Sequence, residues 1–403
     1  MSFKATLRHV LALLCLASVC HGGERITWKS VATGGDVQGE VFAPRDAAGA
    51  KAATVVFLSN LPAPRIGTEP NDAIVRDLVA SGHLVLVLDY AKHANAVSPA
   101  LNADVLKLRE DIAGKTKSLL ADHAVDVNRL FILPEGFRLR RDIEFARDGE
   151  RVLAMDVAYP SKPSKPVSLL MEITCDNVNR MGSGSLLFCR DTLLEGAAIA
   201  GFAVAMVDHP VAPPYKGLDD PMPQCIHRMK GAVRTLRALS PDIGCSGKIG
   251  AIGFSRGGPM AALLAVTDDR ADLDGDGPHR DVSSRVQAAM IHGNRYDYLR
   301  LRPDDPMLAR FEKAWGKRDE NEQRWAAHGA AHYLMRDAAP MFLNTSDAES
   351  PEFRDGLAQF AKRLEELGAE HVYQLDADGR GHRVSTDPKT LAAVYAFFAK
   401  HLK

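Results

Sequence analysis

Beyond residue 23 the chain contains no apolar run of the roughly 20 residues needed to span a bilayer as a helix. It also lacks an excess of charge of either sign. Lysine and arginine together number 50 against 51 aspartates and glutamates, so there is no electrostatic footprint for nucleic acid or an anionic membrane. No two cysteines stand in a CxxC pair, which argues against a structural zinc site. These absences leave a small or neutral partner as the expectation, with no nucleic acid and no membrane span.

The one short apolar stretch is at the start. Lys4 and Arg8 precede an uncharged run from Val10 to Val19, too short for a span and shaped like a secretory signal, with small residues for cleavage between Cys20 and Gly23. A lipoprotein signal is the alternative, but Val19 stands where a small residue should precede Cys20. Residues 1–22 are therefore set aside, and the product is expected to be secreted or periplasmic. Of six cysteines, Cys175, Cys189, Cys225 and Cys245 remain. An even number in an oxidising compartment suggests two disulfides, with three pairings open and Cys175–Cys189 preferred; buried free thiols are the other reading.

The remaining length exceeds a typical single domain. From about residue 141, short apolar β-type runs alternate with amphipathic helical stretches, the pattern of a mostly parallel sheet with helices on both faces. Strands are predicted at 167–174, 203–207, 248–252, 286–291, 341–345 and 371–375, and helices at 187–200, 225–239 and 391–402. Gly82-His-Leu-Val-Leu-Val-Leu-Asp89 reappears as Gly201-Phe-Ala-Val-Ala-Met-Val-Asp208, offset by 119 residues. Ile26 to Pro44 likewise resembles Ile143 to Pro160. The division expected is a signal at 1–22, a degenerate α/β half-repeat at 23–140 and a complete α/β domain at 141–403. Coincidence between two ordinary βαβ units is the plain alternative.

The segment Lys248-Ile-Gly-Ala-Ile-Gly253-Phe-Ser255-Arg-Gly257-Gly258, followed by the helical run Met260-Ala-Ala-Leu-Leu-Ala265, carries the strongest chemical signal. A serine hydroxyl is a poor nucleophile and needs a base and oxyanion donors. Glycines two places either side allow a sharp strand-to-helix turn that lifts the hydroxyl above the sheet. This resembles the nucleophile elbow of the α/β-hydrolases. The 119-residue offset carries Ser255 onto Gly136, which cannot attack a substrate.

In that architecture the acid and then the histidine follow the serine. His382, after the last core strand and beside Gly381, is the candidate base; His371 and His332 are its rivals among 14 histidines. The acid belongs on the loop after 341–345, where Asp347 and Glu349 compete. The run Ala331-His-Tyr-Leu-Met-Arg-Asp-Ala-Ala-Pro340-Met-Phe-Leu resembles the one entering the acid loop of esterases related to acetylxylan and feruloyl esterases. That resemblance places the acid nine residues after Pro340, at Glu349, and the spacing to Gly368 agrees. The family usually carries Asp there.

For the oxyanion hole the elbow implies the backbone N–H of Arg256. The resembling family supplies a second donor from a His-Gly-Gly loop, which is missing here, so the backbone of Thr174 or Cys175 takes its place. Asp272-Leu-Asp274-Gly-Asp276-Gly277 matches half a calcium loop, yet Ser283 stands where the closing carboxylate belongs, and a solvated loop is the expectation.

The resemblance, covering residues 141 to 403, implies a secreted serine esterase working through an acyl-enzyme on a small-molecule or polysaccharide ester, with no cofactor or metal. A serine peptidase of the prolyl-oligopeptidase kind shares the fold, but the N-terminal segment lacks repeated propeller blades. A non-catalytic binding protein descended from a hydrolase is the third reading.

Overall fold

In a computed structural model, the described residues are 137–149, 151–173, 197, 198, 200–208, 210, 224–385 and 387–402. Before them stand strands 24–29, 36–42, 52–59, 84–89 and 125–134, with residues 76, 79 and 80. The signal segment, Thr174, Cys175, Cys189, Gly136 and most of the expected helix 187–200 lie outside these residues. The chain divides into two compact units, Met1–Arg138 and Leu139–Lys403.

The second unit is built on an eight-stranded sheet. Its strands are β6 (Phe137–Asp148), β7 (Arg151–Pro160), β8 (Val167–Ile173), β9 (Ala203–Val207), β10 (Cys245–Gly253), β11 (Ala288–His292), β12 (Met341–Ser346) and β13 (His371–Asp376). Their order is β13-β12-β11-β10-β8-β9-β7-β6. The six strands from β9 to β13 run parallel, and β7 joins β9 antiparallel. Strands buried on both faces read as continuous apolar runs, which is why β9 and β11 have every residue buried. This is the α/β-hydrolase fold.

Side chains alternate across β10 and recruit a helical layer to each face. Ile249 and Ala251 join the core formed with helices α1 (Gln224–Leu239), α2 (Gly257–Thr267) and α5 (Pro351–Leu367). The opposite face meets α6 (Pro388–His401), where a Cβ on Gly250 would fall 2.7 Å from the Phe398 ring. Phe397 of the same helix packs edge-on against Phe342 of β12, with centroids 5.7 Å apart. Two shorter helices, α3 (Leu308–Trp315) and α4 (Glu322–His328), close a satellite aromatic cluster around Trp315 and Trp325.

The first unit contains a five-stranded sheet of β1 (Glu24–Lys29), β2 (Asp36–Phe42), β3 (Ala52–Ser59), β4 (Leu84–Asp89) and β5 (Val125–Pro134), in the order β1-β2-β4-β3-β5. Strands β6-β7-β9-β8-β10 of the second unit stand in the same order. Directions match as well, since β2 and β7 are the strands antiparallel to β4 and β9. The registers also coincide. Val56 pairs with Leu86 and Ile132, and Met171 pairs with Ala205 and Ala251. Leu86 to Ala205 and Ile132 to Ala251 both keep the 119-residue offset found in the sequence, so Pro134 stands at the register position of Gly253.

Cys225 and Cys245 are both buried and Cys245 is a free thiol, which corrects the expectation that the four cysteines pair in two disulfides. Cys225 belongs to the buried inner side of α1 and Cys245 to the start of β10, so each is an apolar core residue. Burial pushes the Cys245 thiol up to about 12, away from thiolate chemistry.

Phe398 has no accessible surface and fills the space that Gly250 leaves open. Phe398→Ala is expected to destabilise the second unit by about 3–5 kcal/mol, measured as a fall in the denaturation midpoint by near-ultraviolet circular dichroism.

Candidate active site

Parallel α/β sheets present their loops for ligands at the carboxyl ends of the strands. Ser255 follows β10, His292 ends β11, Glu349 follows β12 and His382 follows β13. The chain after β10 turns abruptly into α2, with Arg256 as the N-cap residue. That turn requires glycine at both ends. A Cβ on Gly253 would collide with the Gly257 carbonyl group, and one on Gly257 would collide with the Ile173 carbonyl oxygen. Between them Ser255 takes a left-handed backbone with φ of 50°, a conformation that costs a non-glycine residue roughly 1–2 kcal/mol.

Ser255 Oγ lies 3.0 Å from His382 Nε2, and His382 Nδ1 lies 2.7 Å from Glu349 Oε2. The carboxylate only accepts, so Nδ1 carries the proton and Nε2 presents its lone pair to the serine hydroxyl. Glu349 Oε1 takes the Ser350 N–H at 2.8 Å. Burial opposes ionisation of Glu349, but the His382 hydrogen bond and the Ser350 N–H outweigh it and hold the carboxyl below its ordinary range. The side chain is 1% exposed, against 33% for His382.

Asp347 is elsewhere. Its Oδ1 accepts the Gly379 N–H at 2.9 Å and the Ser346 hydroxyl at 3.3 Å, so it ties the acid loop to the histidine loop and leaves the imidazole to Glu349. The rival histidines are also accounted for. His371 begins β13, at the amino end of the strand, with Nδ1 3.0 Å from the Ala369 carbonyl. His332 packs on Tyr333 in a short turn at 330–332.

Arg256 places its backbone N–H at the positive end of α2. Thr174, the expected second donor, falls outside the described residues.

Two features were missed in the sequence. Arg380 anchors the histidine loop, reaching Asp376 at 2.6 Å, Asp378 at 2.5 Å and Asn344 Oδ1 at 2.7 Å. The Asp376-Ala-Asp378-Gly-Arg380 spacing was the available signal. The second is His292, fully buried, with Nδ1 3.8 Å from Glu349 Oε2 and its ring 4.9 Å from Phe254. Its position at the carboxyl end of a core strand was the clue. Burial, reinforced by the Arg380 charge, lowers its pKa to about 3, so it is neutral at neutral pH.

Among the described residues, His292, Glu349 and His382 are the one set of donors close enough for a cation, with atoms within 4.8 Å of one another. Two of these three are already joined by the short hydrogen bond. In the calcium-like loop, Asp274 Oδ1 is turned onto Arg234 and the Ser284 hydroxyl at 2.9 and 2.8 Å, and Asp272 pairs with Arg270 at 2.9 Å.

The model of the family described as BD-FAE, an α/β-hydrolase-type esterase family, matches residues 155–350. This span includes Ser255 and Glu349 and stops before His382. No curated protein matches the chain in sequence. Similar solved structures include a bifunctional GH43-CE protein of Bacteroides eggerthii, at 21% identity and a TM-score of 0.55 over 66% of this chain. The chain spans only 38% of that protein. A truncated carbohydrate esterase from gut microbiota matches at 18% identity and 0.53, covering 65% of this chain and 95% of its own. The butyrate-bound esterase Est2 of Thermogutta terrifontis matches at 20% and 0.50, covering 66% and 95%. At these identities the likeness is one of fold.

His292 makes the site acid-sensitive. Its native pKa lies below the ordinary 6.5, so the unfolded chain binds a proton that the native one refuses, and stability falls as pH drops from 6.5 toward about 3. Glu349 adds a loss that begins as the pH falls through the ordinary carboxylate range, where the unfolded chain takes up the proton before the native one does. Denaturation midpoints across pH 7 to 4 are expected to fall less steeply in His292→Phe than in the wild type.

Proposed function

We propose that the second unit is a serine carboxylic-ester hydrolase in which Ser255 is the nucleophile, His382 the general base and acid, and Glu349 the group that orients the imidazole. The observation carrying this reading is the unbroken chain from Ser255 Oγ through His382 to Glu349, at 3.0 and 2.7 Å. Ser255 Oγ attacks the ester carbonyl carbon while His382 Nε2 takes the hydroxyl proton. The oxyanion is held by the Arg256 N–H and the Thr174 backbone. The C–O bond to the alcohol then breaks as His382 returns the proton to the leaving oxygen. Water, activated by the same imidazole, releases the acid from the acyl-enzyme. Ionised Glu349 stabilises the imidazolium formed in each half.

Acetyl or feruloyl esters of polysaccharide, or similar small esters, are the substrate class we favour, met outside the cytoplasm after removal of residues 1–22. Support comes from the BD-FAE match and the near-neutral charge. Among the described residues no helix is long and apolar enough to cross a membrane. The first unit is read as a non-catalytic copy of the opening half of the fold, because Gly136 stands at the offset position of Ser255.

Hydrolysis of p-nitrophenyl acetate tests the nucleophile. Ser255→Ala is expected to lower kcat by at least about 10³-fold and to abolish labelling by a fluorophosphonate probe; wild-type rates in this variant would refute the reading. The acid is tested by pairing two variants. Glu349→Gln should cost roughly 10²- to 10⁴-fold in kcat, whereas Asp347→Asn should stay within about tenfold. The reverse order would move the acid to Asp347.

A further inference from the structure

The geometry points to Asn294 as a positioning residue for the nucleophile, an inference that rests on Ser255 being the attacking group. Asn294 sits two residues past the end of β11 and is 8% exposed. Its Nδ2 donates to the Ser255 backbone carbonyl at 2.6 Å. Its Oδ1 accepts the Arg295 N–H at 2.7 Å, and this fixes the amide with its nitrogen toward the serine.

The contact falls on the strained link of the elbow. Ser255 holds φ at 50°, and such a backbone persists only where the surroundings over-determine it. The same Ser255 carbonyl takes the Gly258 N–H at 3.0 Å, a bond within the turn itself. Asn294 supplies the restraint from outside that turn.

The donor is itself held. Arg295 is locked to Asp305 by two bonds at 2.6 and 2.8 Å, with both side chains buried. The Tyr296 hydroxyl donates to the His292 carbonyl. A Cβ on Gly356 would lie 2.6 Å from the Asn294 carbonyl oxygen, so α5 packs directly on this segment. On its other side a Cβ on Gly293 would lie 3.2 Å from Glu349 Cγ. The stretch from His292 to Tyr296 therefore sets the nucleophile and the acid from one short piece of chain, and the Oγ–Nε2 distance depends on it.

Asn294 acts through the Ser255 backbone, so its loss should reduce turnover and leave substrate affinity alone. Asn294→Asp keeps the shape, removes the donor and sets a carboxylate against a carbonyl oxygen. Steady-state hydrolysis of p-nitrophenyl acetate is expected to show kcat reduced roughly 10- to 100-fold with KM within about twofold. The rate of fluorophosphonate labelling should fall by a similar factor. Asn294→Ala, which removes the donor without adding charge, should give the same split with a smaller drop and serves where the aspartate variant does not fold. Wild-type kcat in either folded variant, or a change confined to KM, would overturn the assignment. Measured alongside, Ser255→Ala separates the two claims. If it is inactive while the Asn294 variants keep full kcat, only the positioning role fails; if it keeps full activity, the nucleophile reading fails with it.

Discussion

The close approach of two backbones at the end of β10 is the constraint on which the site depends. Strand, turn and helix can meet there only because Gly253 and Gly257 have no side chains, with the Gly257 and Ile173 carbonyl groups filling the space a Cβ would need. This compression forces Ser255 into a left-handed backbone and puts its hydroxyl at the carboxyl edge of the sheet. Everything else in the site is arranged around a group that cannot move far. The core helix α2 is buried along its whole length, so the turn cannot relax by shifting the helix.

The polar partners follow from where the other strands end. Parallel strands release their loops on one edge, and β11, β12 and β13 deliver His292, Glu349 and His382 to it in spatial order. A carboxylate almost without solvent is tolerable because it accepts hydrogen bonds from the His382 Nδ1–H and the Ser350 N–H. Neutral His292 lies alongside without adding a competing charge. The longer reach of Glu compared with Asp matters here. Its side chain spans from the loop after β12 to the imidazole while Asp347, two residues earlier, holds Gly379 of the histidine loop.

The two units illustrate how little of this architecture is sufficient for a sheet and how much is needed for a site. Five strands recur in the same order, and β3, β4 and β5 keep the directions and register of β8, β9 and β10. Pro134 occupies the register of Gly253, however, and a proline ring cannot replicate the glycine's close contact with the following helix. The 119-residue offset is kept in the strands, where Leu86 and Ala205, and Ile132 and Ala251, hold equivalent pairing positions.

Periodicity, glycine spacing and chain order made the strands, the elbow at Ser255 and the histidine after β13 legible in the sequence, since each is a local consequence of residue type. Strand bounds differed by a few residues, as at β10, which begins at Cys245 and not at Lys248. The choice of Glu349 over Asp347 as the imidazole's partner was decided by tertiary structure, because neighbouring carboxylates on one loop differ only in the direction each faces. The same holds for His292, Arg380 and Asn294, which reach Glu349, Asn344 and Ser255 across 57, 36 and 39 residues of sequence. The free thiol of Cys245 likewise follows from the layer this residue enters, and packing in three dimensions sets that.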